Sequence, residues 1–195
     1  MAANFAFLFM MAIWAAAELA LVVWMRATDP SDRHHDNGTL PLVIVAIAAA
    51  LGGGAWLTSA DIAAWPASWV PALRWFGASA IAIGLAIRWT AVFTLRHYFT
   101  VTVAIRADHK LVDWGLYRYV RHPSYSGAIV ALAGLSLGSG GPLSAAAIFL
   151  PILWAVLRRI DVEERALGDG LGADYVAWRE RTPRLVPRVP HKIPR

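Results

Sequence analysis

Long runs without a charged residue constrain this chain more than any other feature. Residues 4–25 carry only Glu18, and as a helix they would extend about 33 Å, enough to cross a bilayer. Four further, mostly apolar runs occupy residues 40–57, 72–95, 124–137 and 143–157. The last two are shorter than about 20 residues and are expected to form a helical hairpin. We therefore predict an all-α integral membrane protein with about five transmembrane helices.

Composition excludes several other classes of protein. With 58% hydrophobic and 16% charged residues, the chain cannot be mainly a disordered or solvated segment. It has no cysteine, which excludes disulfides, thiolate catalysis and zinc–thiolate sites. The adjacent pair His34-His35 lacks helical ligand spacing, so we predict no metal site. The net charge of +5 lies in particular loops and does not indicate nucleic-acid binding.

The positions of the basic residues predict the orientation of the helices. Lysine and arginine cluster after the first, third and fifth apolar runs and are nearly absent from the other two connections. Five spans place all three clusters on the same side of the membrane, and the positive-inside rule makes that side cytoplasmic. We therefore expect a multi-pass protein with an external N-terminus and a cytoplasmic C-terminus.

We expect the chain to form one membrane domain over residues 1–195. Residues 1–95 would supply three N-terminal spans, and residues 96–195 would form a cofactor-binding catalytic core. In that core, a charged cytoplasmic helix is predicted from Asp161 to Arg181, with a break between Gly168 and Gly172. The tail that follows contains four prolines and should be extended.

The segment from His109 to Gly127, HKLVDWGLYRYVRHPSYSG, is polar, aromatic and punctuated by glycine. Pro123 prevents a helix from continuing through Arg121 and His122, so we expect backbone groups there to be free to bind. If this segment and the C-terminal helix fold back on each other, they enclose a cytoplasmic-side pocket for a charged, aromatic cofactor.

Together with RRIDVEERALGDGLGADYVAWRERTPRLVP beyond the hairpin, this segment resembles the isoprenylcysteine carboxyl methyltransferases and their prokaryotic relatives. These are related to phospholipid methyltransferases. The resemblance covers roughly residues 109–187. It implies a membrane enzyme that binds S-adenosylmethionine on the cytoplasmic side and methylates a lipophilic acceptor entering from the bilayer. The most plausible acceptor is the carboxylate of an isoprenylcysteine-like substrate.

The resemblance also implies roles for individual residues. Glu163 corresponds to the acidic cofactor-binding residue, and Arg159 to a catalytic, substrate-facing arginine. These two are four residues apart and so share one helix face, from which one side chain can face the substrate and the other the cofactor. Arg121 is a further candidate for contact with a carboxylate. The remaining predicted cofactor contacts are His109, Lys110, Leu111, Val112, Tyr117, His122, Pro123, Ser124 and Tyr125.

Other interpretations remain open at this stage. Phospholipid N-methylation would need an amine acceptor, and a non-catalytic scaffold would bind lipid or a partner through the basic face. Arg159 and Glu163 could form only a surface ion pair, and Arg118 and the tail arginines could touch anionic lipid. Glu18 and Arg88 are charged residues within predicted spans, and residues of that kind are functional candidates by default.

Overall fold

The computed structural model describes residues 1–24, 38–99 and 111–188, and within them the fold is helical without β-strands. The helices are α1 (Ala2–Trp24), α2 (Thr39–Ser59), α3 (Val70–Leu95), α4 (Pro123–Leu137) and α5 (Pro142–Arg181). Two 3₁₀ turns, Arg96–Tyr98 and Gly115–Arg118, precede α4. The predicted all-α membrane fold is confirmed.

Four of these helices have the length and composition of membrane spans. They are α1, α2, α3 and α5, while α4 is apolar but has only 15 residues, about 22 Å of helix. The sequence predicted about five spans, and the described chain has four helices of spanning length and this shorter one. Since α4 packs mainly on α3, its short length is accommodated within the bundle.

Helices α3 and α4 pack with their backbones in contact. A Cβ atom added at Gly84 would lie 2.5 Å from the carbonyl oxygen of Gly127, and one added at Gly77 would lie 2.6 Å from that of Gly134. Any larger residue at these crossing points would force the helices apart, as at other small-residue interfaces in membranes. This contact fixes the start of α4, which carries the site described below, against the second half of α3.

One of the three consecutive glycines in α2 lies at a close contact with another helix. A Cβ at Gly54 would lie 2.4 Å from a side-chain carbon of Ile148 in α5, so Gly54 permits close packing of the two helices. Gly52 and Gly53 have open space around them.

Helix α5 differs from the sequence prediction. A fifth span over residues 143–157 and a separate charged helix from Asp161 were expected, but α5 continues past Asp161 without a break as far as Gly172. No glycine or proline lies between Leu157 and Asp161, so nothing ends the helix where its apolar run stops. The predicted break between Gly168 and Gly172 is present at Gly172, whose φ of 61° and ψ of −137° are not helical.

Beyond that break, the chain returns to the bundle through a small aromatic core. Tyr175 and Trp178 pack with Tyr117 and with Ala91 near the end of α3. The larger core lies between the helices and includes Ile81, Leu132 and Ile152. The small core therefore holds the end of α5 beside the turn that precedes α4.

Candidate active site

Tyr125 joins the two residues of α5 that the sequence singled out. The Nε of Arg159 donates a hydrogen bond to the hydroxyl of Tyr125 at 3.0 Å, and that hydroxyl donates to Oε2 of Glu163 at 2.8 Å. Arg159 is buried, with 6% of its surface exposed, and its Nη1 also donates to Oγ1 of Thr39 at 3.0 Å. A residue of α4 and one of α2 thus fix the predicted catalytic arginine.

His122 lies between two carboxylates. Its Nε2 is 3.0 Å from Oε1 of Glu164, and its Nδ1 is 3.8 Å from Oε1 of Glu163. His122, which directly precedes α4, and Tyr125 in the first turn of α4 therefore both lie beside Glu163. This confirms the geometric expectation that the two segments parted by the hairpin fold back on each other.

Glu164 was missed by the sequence reasoning. Its Oε1 lies 3.2 Å from Nε of Arg121 and 3.4 Å from Nε of Arg184, in addition to the contact with His122. The side chain of Glu164 is only 12% exposed. Its single negative charge therefore lies close to three basic groups with little contact with solvent. The signal available in the sequence was the adjacent pair Arg121-His122, which needs a nearby negative charge if it is buried.

The tail after α5 pairs with the start of α4. The backbone N–H of Arg121 donates to the carbonyl of Pro183 at 2.8 Å, and that of His122 donates to the carbonyl of Arg184 at 3.0 Å. The hydroxyl of Ser126 donates to the carbonyl of Leu185 at 2.6 Å. The expectation that backbone groups near Pro123 are free to bind was wrong for these two N–H groups, because the tail takes them.

Arg121 is also engaged within the protein. Besides Glu164, its Nη1 donates to the backbone carbonyl of Arg179 at 3.1 Å. These contacts tie the start of α4 to the end of α5, which is a positioning role. The predicted contact with a substrate or cofactor carboxylate would have to compete with them.

Tyr117 and its neighbours form an aromatic wall next to these charges. Tyr117 is buried, and burial together with the nearby Glu163 carboxylate raises the pKa of its phenol. Leu111 and Val112 pack against the same aromatic core. Tyr175, which the sequence reasoning also missed, is 1% exposed, and its hydroxyl has no hydrogen-bond partner among the described residues.

The remaining predicted contacts divide into two groups. Ser124 is buried, and its hydroxyl accepts a hydrogen bond from Nη1 of Arg88 at 3.1 Å. His109 and Lys110 lie outside the described residues. Their predicted contacts with a cofactor stay predictions.

Arg88 forms an ion pair with Glu18, a contact that the sequence alone did not predict. Its Nε lies 2.6 Å from Oε1 of Glu18, and its Nη2 donates to Oε2 at 2.8 Å. Because Nη1 also reaches Ser124, this guanidinium links α1, α3 and α4 at one point. The two charged residues within spans therefore neutralise each other and fix the start of α4.

A cleft of about 540 Å³ opens on another face of α5. Its lining comprises Thr39, Leu42, Trp154, Arg158, Asp161, Val162, Glu164, Arg165 and Arg179. Thr39 and Glu164 therefore border both this cleft and the cluster around Arg159. His122 and Tyr125 do not line it.

Fold and site together define an all-α, multi-pass integral membrane protein with a charged, aromatic site where α4 begins and α5 leaves its apolar run. Comparison with known proteins confirms the family resemblance. Residues 77–169 match the sequence model of the isoprenylcysteine carboxyl methyltransferase family. That range includes Tyr117, His122, Tyr125, Arg159 and Glu163.

Individual relatives agree with this match. The chain is 38% identical over 117 residues to protein-S-isoprenylcysteine O-methyltransferase B of Arabidopsis thaliana, and the alignment covers 58% of this chain and 59% of that protein. It is 33% identical over 116 residues to the enzyme of Saccharomyces cerevisiae, covering 58% and 48%. The match thus spans about six-tenths of the plant relative and about half of the yeast one.

A solved structure shows the same fold. The eukaryotic intramembrane Ras methyltransferase, isoprenylcysteine carboxyl methyltransferase, superposes with a TM-score of 0.57 and 25% sequence identity. The superposition covers 75% of this chain and 52% of that structure. The helical arrangement therefore extends beyond the residues that match the family's sequence model.

Proposed function

We propose that this protein is an S-adenosylmethionine-dependent methyltransferase that methylates the carboxylate of a lipophilic, isoprenylcysteine-like acceptor. The observation that carries the proposal is the chain of hydrogen bonds Arg159–Tyr125–Glu163, which lies within the part of the sequence that matches the family. It places one fixed cation and one carboxylate on adjacent turns of α5, at the end of its apolar run.

The side chains present suit the chemical groups of S-adenosylmethionine. Glu163 is 29% exposed and accepts from Tyr125 through one oxygen, which leaves acceptor capacity for an ammonium group. His122 and the aromatic rings of Tyr117 and Tyr125 supply a polar and an aromatic surface for the rest of the molecule. The hydroxyl of Tyr175, which has no hydrogen-bond partner within the described part of the chain, gives the aromatic wall one further hydrogen-bonding group.

The bound cofactor would supply an electrophilic methyl group on a sulfonium. The protein would hold the cofactor and the acceptor, orient them towards each other and exclude water from between them. Arg159 would bind the acceptor carboxylate through a charge-assisted hydrogen bond, and Tyr125 and Thr39 keep its guanidinium in place. A carboxylate is ionised at neutral pH and needs no general base, so orientation and exclusion of water are the contributions required.

The N-terminal spans contribute to this site. Thr39 of α2 binds Arg159, and Glu18 of α1 binds the arginine that holds Ser124. We therefore propose a single membrane domain in which residues 1–95 support the catalytic core formed by residues 96–195. From the basic clusters and the positive-inside rule we also propose that the site and the C-terminus are cytoplasmic and the N-terminus external.

Transfer of a radiolabelled methyl group tests the proposal. Purified protein in lipid is incubated with labelled S-adenosylmethionine and a prenylated cysteine that has a free α-carboxylate. We expect label in the organic phase that mild alkali releases as methanol, because a methyl ester hydrolyses and an N-methyl group does not. Label that resists alkali and appears only with phospholipid would identify an N-methyltransferase. If the folded protein transfers no methyl group to either acceptor and does not bind the cofactor, it is a non-catalytic scaffold.

A further inference from the structure

The cleft on the outer face of α5 carries unbalanced positive charge. Three of its lining residues are arginines, namely Arg158, Arg165 and Arg179. None of the three has a carboxylate partner among residues 1–24, 38–99 and 111–188. Arg158 instead places its guanidinium 5.8 Å from the ring centre of Trp154.

The two acids in the lining do not balance these arginines. Asp161 is hydrogen-bonded to Arg184, and Glu164 lies within 3.4 Å of basic nitrogens from Arg121, His122 and Arg184. None of those partners lines the cleft. Both carboxylates are thus already paired with basic groups outside the lining, which leaves the three arginines of the lining without carboxylate partners of their own among the described residues.

The cleft also has an apolar part, contributed by Leu42 of α2 and Trp154 and Val162 of α5. The apolar run of α5 ends at Leu157, and the hydrogen bond between Arg159 and Thr39 shows that α2 begins at this same level. Leu42 and Trp154 therefore lie one turn inside the apolar layer, Arg158 lies at its edge, and Arg165 lies about 10 Å further along α5. An apolar floor beside a cationic rim matches an amphiphile that stands in the bilayer.

The cleft faces away from the proposed catalytic residues. Trp154, Arg158 and Arg165 follow each other at spacings of four and seven residues, which makes a single stripe along α5. Arg159 and Glu163 belong to a different stripe, turned by about 100° at 3.6 residues per turn. Thr39, which accepts a hydrogen bond from Arg159, stands between the cleft and the site.

We propose that this cleft binds one anionic glycerophospholipid of the surrounding leaflet. Its phosphate would lie between Arg158 and Arg165, with Arg179 at the rim, and an acyl chain would lie along Leu42 and Trp154. Guanidinium groups bind phosphate oxygens through paired hydrogen bonds, which makes arginine well suited to this headgroup. The proposal does not depend on the methyltransferase activity.

Native mass spectrometry of the full chain released from vesicles tests it. The vesicles contain phosphatidylglycerol and phosphatidylcholine in equal amounts, and the spectrum reports which lipid stays bound. We expect one retained phosphatidylglycerol. The double variant Arg158→Gln/Arg165→Gln should lose the preference by roughly 30-fold, which corresponds to about 1 kcal/mol for each arginine near a membrane surface.

A matched variant separates a built site from general surface attraction. Arg118 and Arg188 are exposed and lie outside the cleft, so Arg118→Gln/Arg188→Gln removes the same charge elsewhere. It should keep the preference, whereas Arg158→Lys/Arg165→Lys should keep only part of it, because the charges remain and the paired hydrogen bonds of the guanidinium groups are lost. An equal loss in both glutamine variants would overturn the proposal, as would unchanged retention in Arg158→Gln/Arg165→Gln. Displacement of the bound lipid by inorganic phosphate alone would overturn the choice of a membrane lipid as the occupant.

Discussion

Replacing Glu164 by glutamine tests whether this carboxylate holds the site together. The change keeps the size of the side chain and removes the negative charge that Arg121, His122 and Arg184 share at 3.2, 3.0 and 3.4 Å. Breaking a buried ion pair by removing one partner costs about 3–5 kcal/mol, because the other charge stays buried. We expect the lower end, about 3 kcal/mol, because Arg121 keeps the Arg179 carbonyl and Arg184 keeps Asp161.

The thermal unfolding midpoint in one detergent is the appropriate measurement. For a chain of this length, each kcal/mol shifts the midpoint by about 2–4 °C, so Glu164→Gln should unfold about 6–12 °C below the wild type. The exposed Glu180 near the end of the same helix provides a matched control. Glu180→Gln should leave the midpoint nearly unchanged.

The shift should also persist at high salt, since a pair shielded from solvent is screened much less than an exposed one. A Glu164→Gln midpoint equal to that of Glu180→Gln would refute the reasoning. Glu164 would then be a surface carboxylate with no structural role.

Two further substitutions test the contacts around α4. Tyr125→Phe removes both hydrogen bonds that join Arg159 to Glu163. We expect kcat/KM for methyl transfer to fall about 30-fold, which is equivalent to the loss of about 2 kcal/mol from hydrogen bonds to charged groups. Tyr119→Phe, at an exposed position, is the control, and equal rates for the two variants would contradict the assignment. Glu18→Gln should destabilise the protein by about 3 kcal/mol, because it leaves the Arg88 guanidinium unpaired. A double-mutant cycle with Arg88→Gln measures their coupling, and additive effects would show that the two side chains do not interact.

The helices, and the proximity of the two segments that form the candidate site, could be predicted from the sequence. Long apolar runs leave few alternatives to membrane helices, and the structure has helices close to each predicted run. The spacing of Arg159 and Glu163 correctly placed them on one helix face. The prediction failed for the helix boundary near Asp161, because a change from apolar to charged residues alters the surroundings of a helix without ending it.

The contacts between distant segments could not be predicted. Nothing in a single sequence shows that Glu18 and Arg88, 70 residues apart, meet in space, or that Thr39 reaches Arg159. Glu164 was overlooked because adjacent acids look equivalent in a sequence, whereas neighbouring positions on a helix point about 100° apart. The tail that pairs with Arg121 and His122 was expected only to be extended, since proline content gives conformation and not location.

Equilibrium binding of S-adenosylmethionine to the folded protein tests the central claim most directly. We expect the wild type to bind, Glu163→Ala to lose about 2–5 kcal/mol of binding free energy through loss of a charged partner, and Arg159→Ala to bind like the wild type while turning over more slowly. Equal affinities for the wild type and Glu163→Ala, or no binding by folded wild-type protein in either lipid or detergent, would contradict the proposed site.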